Sequence, residues 1–152
     1  MENGIQITEA TLDHLPKLVV LFETYRIHYG QKADRLGATQ FLTARIRKKD
    51  STIYVAVHNK QLVGFTQLYP LFSSVHMGRL FLLNDVFVLP EFRGKTVGRQ
   101  LIDHCKEFAR ESNAIGLLLE TEKLNFPGNK LYQRTGFKLD NEHNYYFWEN
   151  RS

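Results

Sequence analysis

The spacing of apolar residues switches between two periods along the chain, and the switches mark its elements. Ile5 to Thr8 alternates and predicts a short first strand. Thr11 and Asp13 are N-cap residues for a helix whose apolar positions, Leu15, Leu18, Val19, Phe22 and Tyr25, fall at helical spacing. A second helix is predicted over Ala38 to Lys48, with Phe41, Leu42 and Ile46 inward. The period then drops to two. Ile53 to Val57 and Leu62 to Leu71 read as strands joined by a hairpin-length connection. Leu80 to Leu89 is apolar at nearly every position, as a strand covered on both faces must be, and Pro90 ends it. Val97, Leu101, Ile102, Cys105, Phe108 and Ala109 form the stripe of a helix over Val97 to Ser112. Ile115 to Thr121 is a further strand. Pro127 suits the first turn of a helix reaching about Thr135, where Gly136 stops it. Phe137 to Leu139 and Tyr145 to Trp148 read as closing strands. The expectation is an α/β (α+β) fold with a twisted, mixed, mostly antiparallel sheet of about six to seven strands and about four helices.

Composition narrows the class. A chain of 152 residues without repeats or Pro/Gly/Ser linkers predicts one domain, over residues 5–150. A single cysteine, Cys105, forms no internal disulfide, and no secretory signal pattern opens the chain, so a cytoplasmic protein is expected. No apolar run approaches the roughly 20 residues that span a bilayer, so no membrane partner is expected. The net charge of +4 suits a phosphorylated ligand as well as nucleic acid. Arg45, Arg47, Lys48 and Lys49 read as a solvated helix end, and no nucleic-acid partner is expected. The six histidines show no ligand spacing, so no metal site is expected. Cys105, on the apolar stripe, reads as core. Tyr145 to Trp148 is either a packed strand or, if exposed, a homodimer surface.

One stretch points to chemistry. From Asn84, Asp85, Val86, Phe87 and Val88 a buried strand runs past Pro90 into Arg93, Gly94, Lys95, Thr96, Val97, Gly98 and Arg99, which open a helix. Unpaired N–H groups and the dipole at a helix start favour anions, and glycines allow close backbone approach. The loop suits a pyrophosphate; the alternative is an ordinary strand-to-helix turn that happens to be basic.

This stretch resembles the acetyl-CoA-binding motif of the GNAT acetyltransferases, a strand ending V-x-P followed by R-G-x-G-x-G and a helix. Thr96 stands where the family usually has glycine. A second stretch, Asn125 to Phe137, is similar to the family's N-x-x-A-x-x-L-Y-x-x-x-G-F, with Gly128 in place of alanine. The two motifs occur in family order and at family spacing. Leu68 to Ser74 and Tyr25 to Gly30 look most like the yeast-type branch that acetylates histones, polyamines and D-amino acids.

The resemblance implies acetyl-CoA as co-substrate, with no metal, and acetyl transfer to a primary amine of a small molecule, peptide or protein by direct attack in a ternary complex. It also allows another short acyl donor. Asn84 and Thr96 motivate the rival reading of a CoA-binding regulatory module. Val86, Phe87, Val88, the residues from Arg93 to Arg99, Asn125, Gly128, Lys130 and Tyr132 would hold the coenzyme. The amide near Val86 or Phe87 would polarise the thioester carbonyl, and Tyr132 would protonate the leaving thiolate. Removing a proton from a lysine-like amine at pH 7 costs about 4.6 kcal/mol, so a base is needed. Where polyamine acetyltransferases carry a glutamate before the aspartate, this chain has Asn84 before Asp85. Asp85 and Glu120 are the candidate bases, and Asp85 could equally be a structural acceptor. Glu120 and Glu122 share one face of the expected strand, as a cation site or a strand end leaving the core. The amine would be lined by Tyr25, Tyr29, Tyr69, Phe72, Ser73 and Asn84, with Phe22 beside them.

Overall fold

The computed structural model describes residues 4–151. The chain divides into two compact units at the Glu120–Thr121 junction. The first holds a five-stranded sheet in the order β1 (Gln6–Glu9), β2 (Thr52–His58), β3 (Gln61–Ser73), β4 (Gly78–Val88), β5 (Leu117–Leu118). The first four strands are antiparallel in succession, and β5 lies parallel to β4. Helices α1 (Leu15–His28) and α2 (Arg35–Lys48) precede β2, and α3 (Val97–Glu111) joins β4 to β5. Among the described residues no helix is long and apolar enough to cross a membrane.

The sheet carries a core on each face, as the apolar run of its central strands requires. Leu18, Val19, Phe22 and Leu42 of α1 and α2 pack on Val55, Phe65 and Phe87. Val97 and Leu101 of α3 pack with Ala56 and Val63 on the other side. The expected stripe of α3 is buried at Val97, Leu101, Ile102, Cys105 and Ala109. Cys105 Sγ lies 3.4 Å from Thr66 Oγ1, and burial pushes its thiol up to about 11, so it is an inert core group. Gly64 lets α3 approach: a Cβ there would lie 2.9 Å from Phe87 O and 3.2 Å from Leu101 Cδ1. The basic cluster does fall at a helix end, the last turn of α2, with Arg45 paired to Asp50 at 2.7 Å.

A β-bulge in β4 matters most for the site. Gln67 pairs with Asp85 but Leu68 pairs with Leu83, which leaves Asn84 as the extra residue. The bulge switches the side of the sheet to which β4's odd-numbered residues belong. Phe81, before it, packs at a tilt against Phe108 of α3, with centroids 4.8 Å apart. Phe87, after it, meets Tyr25 of α1 at 5.6 Å. Asp85 therefore faces α1 and α2. The bulge also bends β4, and β5 follows it only along Phe81–Leu117 and Leu82–Leu118. This corrects the expected strand over Ile115 to Thr121: two residues of it form a ladder.

The second unit contains α4 (Phe126–Arg134) and no strand among its described residues. The closing strands expected at Phe137 to Leu139 and Tyr145 to Trp148 are thus not formed, and the sheet has five strands, not six or seven. Tyr145, Tyr146, Phe147 and Trp148 are exposed. The run is aromatic at every residue, so it has no alternation to select a buried face, and no ladder satisfies its backbone. Helix α4 is defined at both ends. Asn125 Oδ1 accepts from Gly128 N–H at 3.2 Å as N-cap. At the other end Gly136, with φ of 95°, donates to Gln133 O, and Phe137 N–H donates to Tyr132 O at 3.0 Å. This is a Schellman motif, completed by the Tyr132 and Phe137 rings at 5.9 Å. Much of the second sequence motif is thus the N-cap and C-cap of one helix.

Candidate functional site

Asp85 sits in an apolar strand, 5% exposed, and its carboxylate is held on both oxygens. Tyr25 Oη donates to Oδ1 at 2.8 Å, Asn84 Nδ2 to Oδ1 at 3.0 Å and Gln67 Nε2 to Oδ2 at 2.8 Å. Gln67 is itself fully buried, and its Oε1 accepts from Ser51 Oγ at 2.9 Å. Burial raises the Asp85 carboxyl above its usual value, and the three donors, led by Gln67, oppose the rise without cancelling it.

A cavity of about 440 Å³ opens beside this network. Asp85, Asn84 and Gln67 give it a polar end, and the rings of Phe22, Tyr25, Phe41 and Tyr69 line its walls together with Ala38 and Gly37. Arg26 and Asp34 complete the lining. Burial, with the Asp85 carboxylate next in weight, pushes the Tyr69 phenol up to about 12, so it stays protonated at neutral pH. Helix α2 is fixed over the cavity by Glu23, which is buried on α1 and accepts from Asp34 N–H at 2.8 Å and Arg35 Nε at 2.6 Å. The Arg35 guanidinium holds the Glu23 carboxyl below its usual value. Asp34 in turn caps α2, accepting from Gly37 N–H at 2.9 Å. Gly37 leaves the space for this cap: a Cβ there would press on the Asp34 carboxylate.

Of the residues expected to line an amine, Tyr25, Tyr69 and Asn84 border this cavity, as does Phe22. Tyr29 meets Tyr25 edge to face at 5.0 Å but is not part of the lining. Phe72 is 75% exposed near the end of β3, under the Arg79 guanidinium, and Ser73 Oγ accepts from His76 N–H. Neither borders the cavity. Glu120 is exposed and lies beyond β5, which ends at Leu118, so no strand face joins it to Glu122. Among the described residues no cluster of three or more His, Cys, Asp or Glu side chains is arranged to hold a metal. The sequence reading missed Gln67, Ser51, Phe41, Arg26 and Asp34. A glutamine inside an otherwise apolar strand is the signal that could have found Gln67.

At the far end of β4 the chemistry belongs to the backbone. Leu89 N–H donates to Val63 O at 2.9 Å, toward β3. By two-residue alternation the amides of Val86 and Val88 point to the opposite edge, and that of Phe87 points to β3. No ladder continues along that edge past Leu82 among the described residues. Arg93 Nε donates to Val88 O at 2.9 Å, on the open side. The following turn has left-handed backbone at Gly94 (φ 74°) and Thr96 (φ 65°). Thr96 is the N-cap of α3, but its hydroxyl accepts from Gln100 Nε2 at 2.9 Å and makes no capping bond to the helix backbone. The Arg93 guanidinium lies 5.6 Å from the Phe87 ring centroid, and Lys95 Nζ lies 5.4 Å from that of Phe92. Val97, Gly98 and Arg99 form the first turn of α3, which carries no acidic residue. Asn125, Gly128, Lys130 and Tyr132 belong to the second unit, where Asn125 caps α4 and also donates to Thr121 Oγ1 at 2.9 Å.

These features agree with what the chain is similar to. Residues 18–137 match the model of the acetyltransferase (GNAT) family. The chain is 40% identical to the uncharacterized N-acetyltransferase YhfO of Bacillus subtilis (strain 168), over 90% of this chain and 91% of that protein. A probable acetyltransferase of Haemophilus influenzae is 32% identical, over 81% of this chain and 83% of its own length. The crystal structure of a probable acetyltransferase superposes with a TM-score of 0.91 at 38% identity, covering 97% of this chain and 99% of the other. The chain belongs to the GNAT family of acetyltransferases.

Proposed function

We propose that the protein transfers an acetyl group from acetyl-CoA to a primary amine, and that the amine enters the cavity beside Asp85. The observation that carries this reading is one strand with two ends. Its bulge presents a buried carboxylate to an aromatic cavity, and its last residues lead an open edge into a basic turn at the start of α3.

The residues fit the co-substrate. The open-edge N–H groups of Val86 and Val88 can pair with an extended amide chain or a thioester oxygen, and the Arg93–Thr96 turn with the first N–H groups of α3 suits a pyrophosphate. The strand's alternation favours Val86 over Phe87 as the donor to the carbonyl oxygen. In the transfer the amine nitrogen forms a bond to the acetyl carbon while the carbon–sulfur bond breaks and sulfur keeps the electron pair. Asp85, whose carboxyl burial raises above its usual value, takes the proton the amine must lose. By the resemblance of its motif alone, Tyr132 would be the group that protonates the thiolate. Nitrogen as the acceptor atom is supported by the N-acetyltransferase named in the B. subtilis relative.

Thiol release from acetyl-CoA, measured over a panel of primary amines with mass spectrometry of the products, tests the reading. Amine-dependent thiol release with a product one acetyl group heavier is expected. Stabilisation by acetyl-CoA in a thermal melt, with no amine raising thiol release, would leave a binding module instead.

A further inference from the structure

We infer, resting on the reading of the Asp85 cavity as the acceptor site, that the acceptor is a small monoamine bearing an aromatic group, its nitrogen at Asp85 and its ring among Phe22, Phe41 and Tyr69. A polyamine, a peptide lysine and an amino acid are the competing occupants.

The walls argue for an aromatic body. The rings of Phe22 and Phe41 lie within 5° of parallel, with centroids 5.9 Å apart, and Phe41 keeps 38% of its surface exposed. Phe41 lies on the cavity wall, partly exposed, with the guanidinium of Arg45, itself paired to Asp50, 4.9 Å from its ring centroid. A ring laid against it would remove apolar surface from water and gain an offset or edge contact. At about 440 Å³ the cavity falls toward the lower end of the roughly 300–1,000 Å³ typical of small-molecule sites.

The charges argue for one ammonium. Asp85 is the carboxylate at the polar end of the lining. Three donors converge on its two oxygens, an arrangement that suits the ionised form. The lining holds one other carboxylate, Asp34, which is engaged by Gly37 N–H and accompanied by Arg26. A second ammonium, as in a polyamine, would find no unopposed anion. The carboxylate of an amino acid would have to compete for Arg26 with the buried Glu23 carboxylate, which already feels its charge, and with Lys32 O, to which its guanidinium donates at 3.2 Å. The neutral rim therefore favours a ligand whose charge resides in its amine alone.

Calorimetric titration of the full chain with phenethylamine, n-butylamine, spermidine, phenylalanine and a lysine-containing peptide tests the inference. Phenethylamine should bind about tenfold more tightly than n-butylamine, the size of one aromatic contact. The Phe41→Ala variant should lose most of that preference, and Asp85→Asn should weaken both amines. Tighter binding of spermidine, phenylalanine or the peptide, or no amine binding at all, would overturn it. Thiol release measured with the same compounds separates the two readings. Phenethylamine binding without thiol release removes the transferase and leaves the ligand class intact. Thiol release favouring the peptide or spermidine removes the monoamine and leaves the transferase.

Discussion

The two ends of β4 face opposite physical problems. At the bulge, Asp85 is a buried charge that folding must satisfy with side chains brought from elsewhere: Tyr25 from α1 and Gln67 from β3, with Asn84 beside it. Past Val88 the groups are backbone amides and exposed cations, and the requirement is a conformation, met by positive φ at Gly94 and Thr96. The first region is sensitive to the loss of a polar atom, because a buried partner left behind has no water to turn to. The second is sensitive to Cβ atoms, because left-handed backbone disfavours them.

The comparison breaks most sharply at Asp85. Asp85→Asn should lower kcat/KM for the amine by roughly 10²–10⁴, the usual range for a general base, with KM for acetyl-CoA unchanged; initial-rate kinetics check both. The same variant reads the charge through stability. Because the folded state raises the Asp85 pKa above its usual 3.8, the native protein binds this proton more tightly than the unfolded chain does. Its contribution is fully present below the unfolded pKa and is lost as pH rises through the folded one. The Tm of the parent relative to Asp85→Asn should therefore fall as pH is raised from about 4.

Gln67→Leu tests the side-chain region away from the reacting atoms. It leaves Asp85 Oδ2 and Ser51 Oγ without their buried partner, a loss of about 2–4 kcal/mol, or roughly 8 °C in Tm for a chain of this size. An unchanged Tm would mean that water replaces the amide.

In the backbone region the effects are smaller, and the two substitutions differ from each other in sign. Gly94 has φ of 74° and nothing within 4 Å of where a Cβ would stand, so Gly94→Ala carries only the conformational cost of about 1 kcal/mol, or roughly 3 °C of Tm. Thr96→Gly relieves a β-branched residue at φ of 65° but gives up the Gln100 contact, so its Tm should rise by no more than about 3 °C. A fall in Tm would show that the Thr96–Gln100 bond outweighs the strain.

The same contrast explains what could be read from the sequence. The turn was legible because a backbone conformation restricts residue type over consecutive positions, and Thr96 is left-handed where the family keeps glycine. The second motif was legible for the same reason, since Asn125, Gly136 and Phe137 begin and end one helix. The cavity was only half legible. Asp85 stood out as a charge in an apolar strand, and Tyr25 and Tyr69 as aromatics near it. Gln67, Phe41 and Asp34 looked ordinary, because their meaning comes from α2 and β3 meeting across many residues of chain. The bulge at Asn84 left no mark in the hydrophobic period, since Leu80 to Leu83 before it and Val86 to Leu89 after Asp85 are apolar at every position. The closing strands were over-read from aromatic content without a partner edge.

The claim that the amine binds at Asp85 is tested most directly by initial-rate kinetics of Tyr25→Phe with the best amine. The substitution keeps the ring that packs on Phe65 and Phe87 and removes only the hydroxyl that donates to Asp85 Oδ1. The amine KM or the acid limb of the kcat/KM pH profile should shift upward while KM for acetyl-CoA stays constant. An equal loss for both substrates, or kinetics indistinguishable from the parent across pH, would contradict the placement.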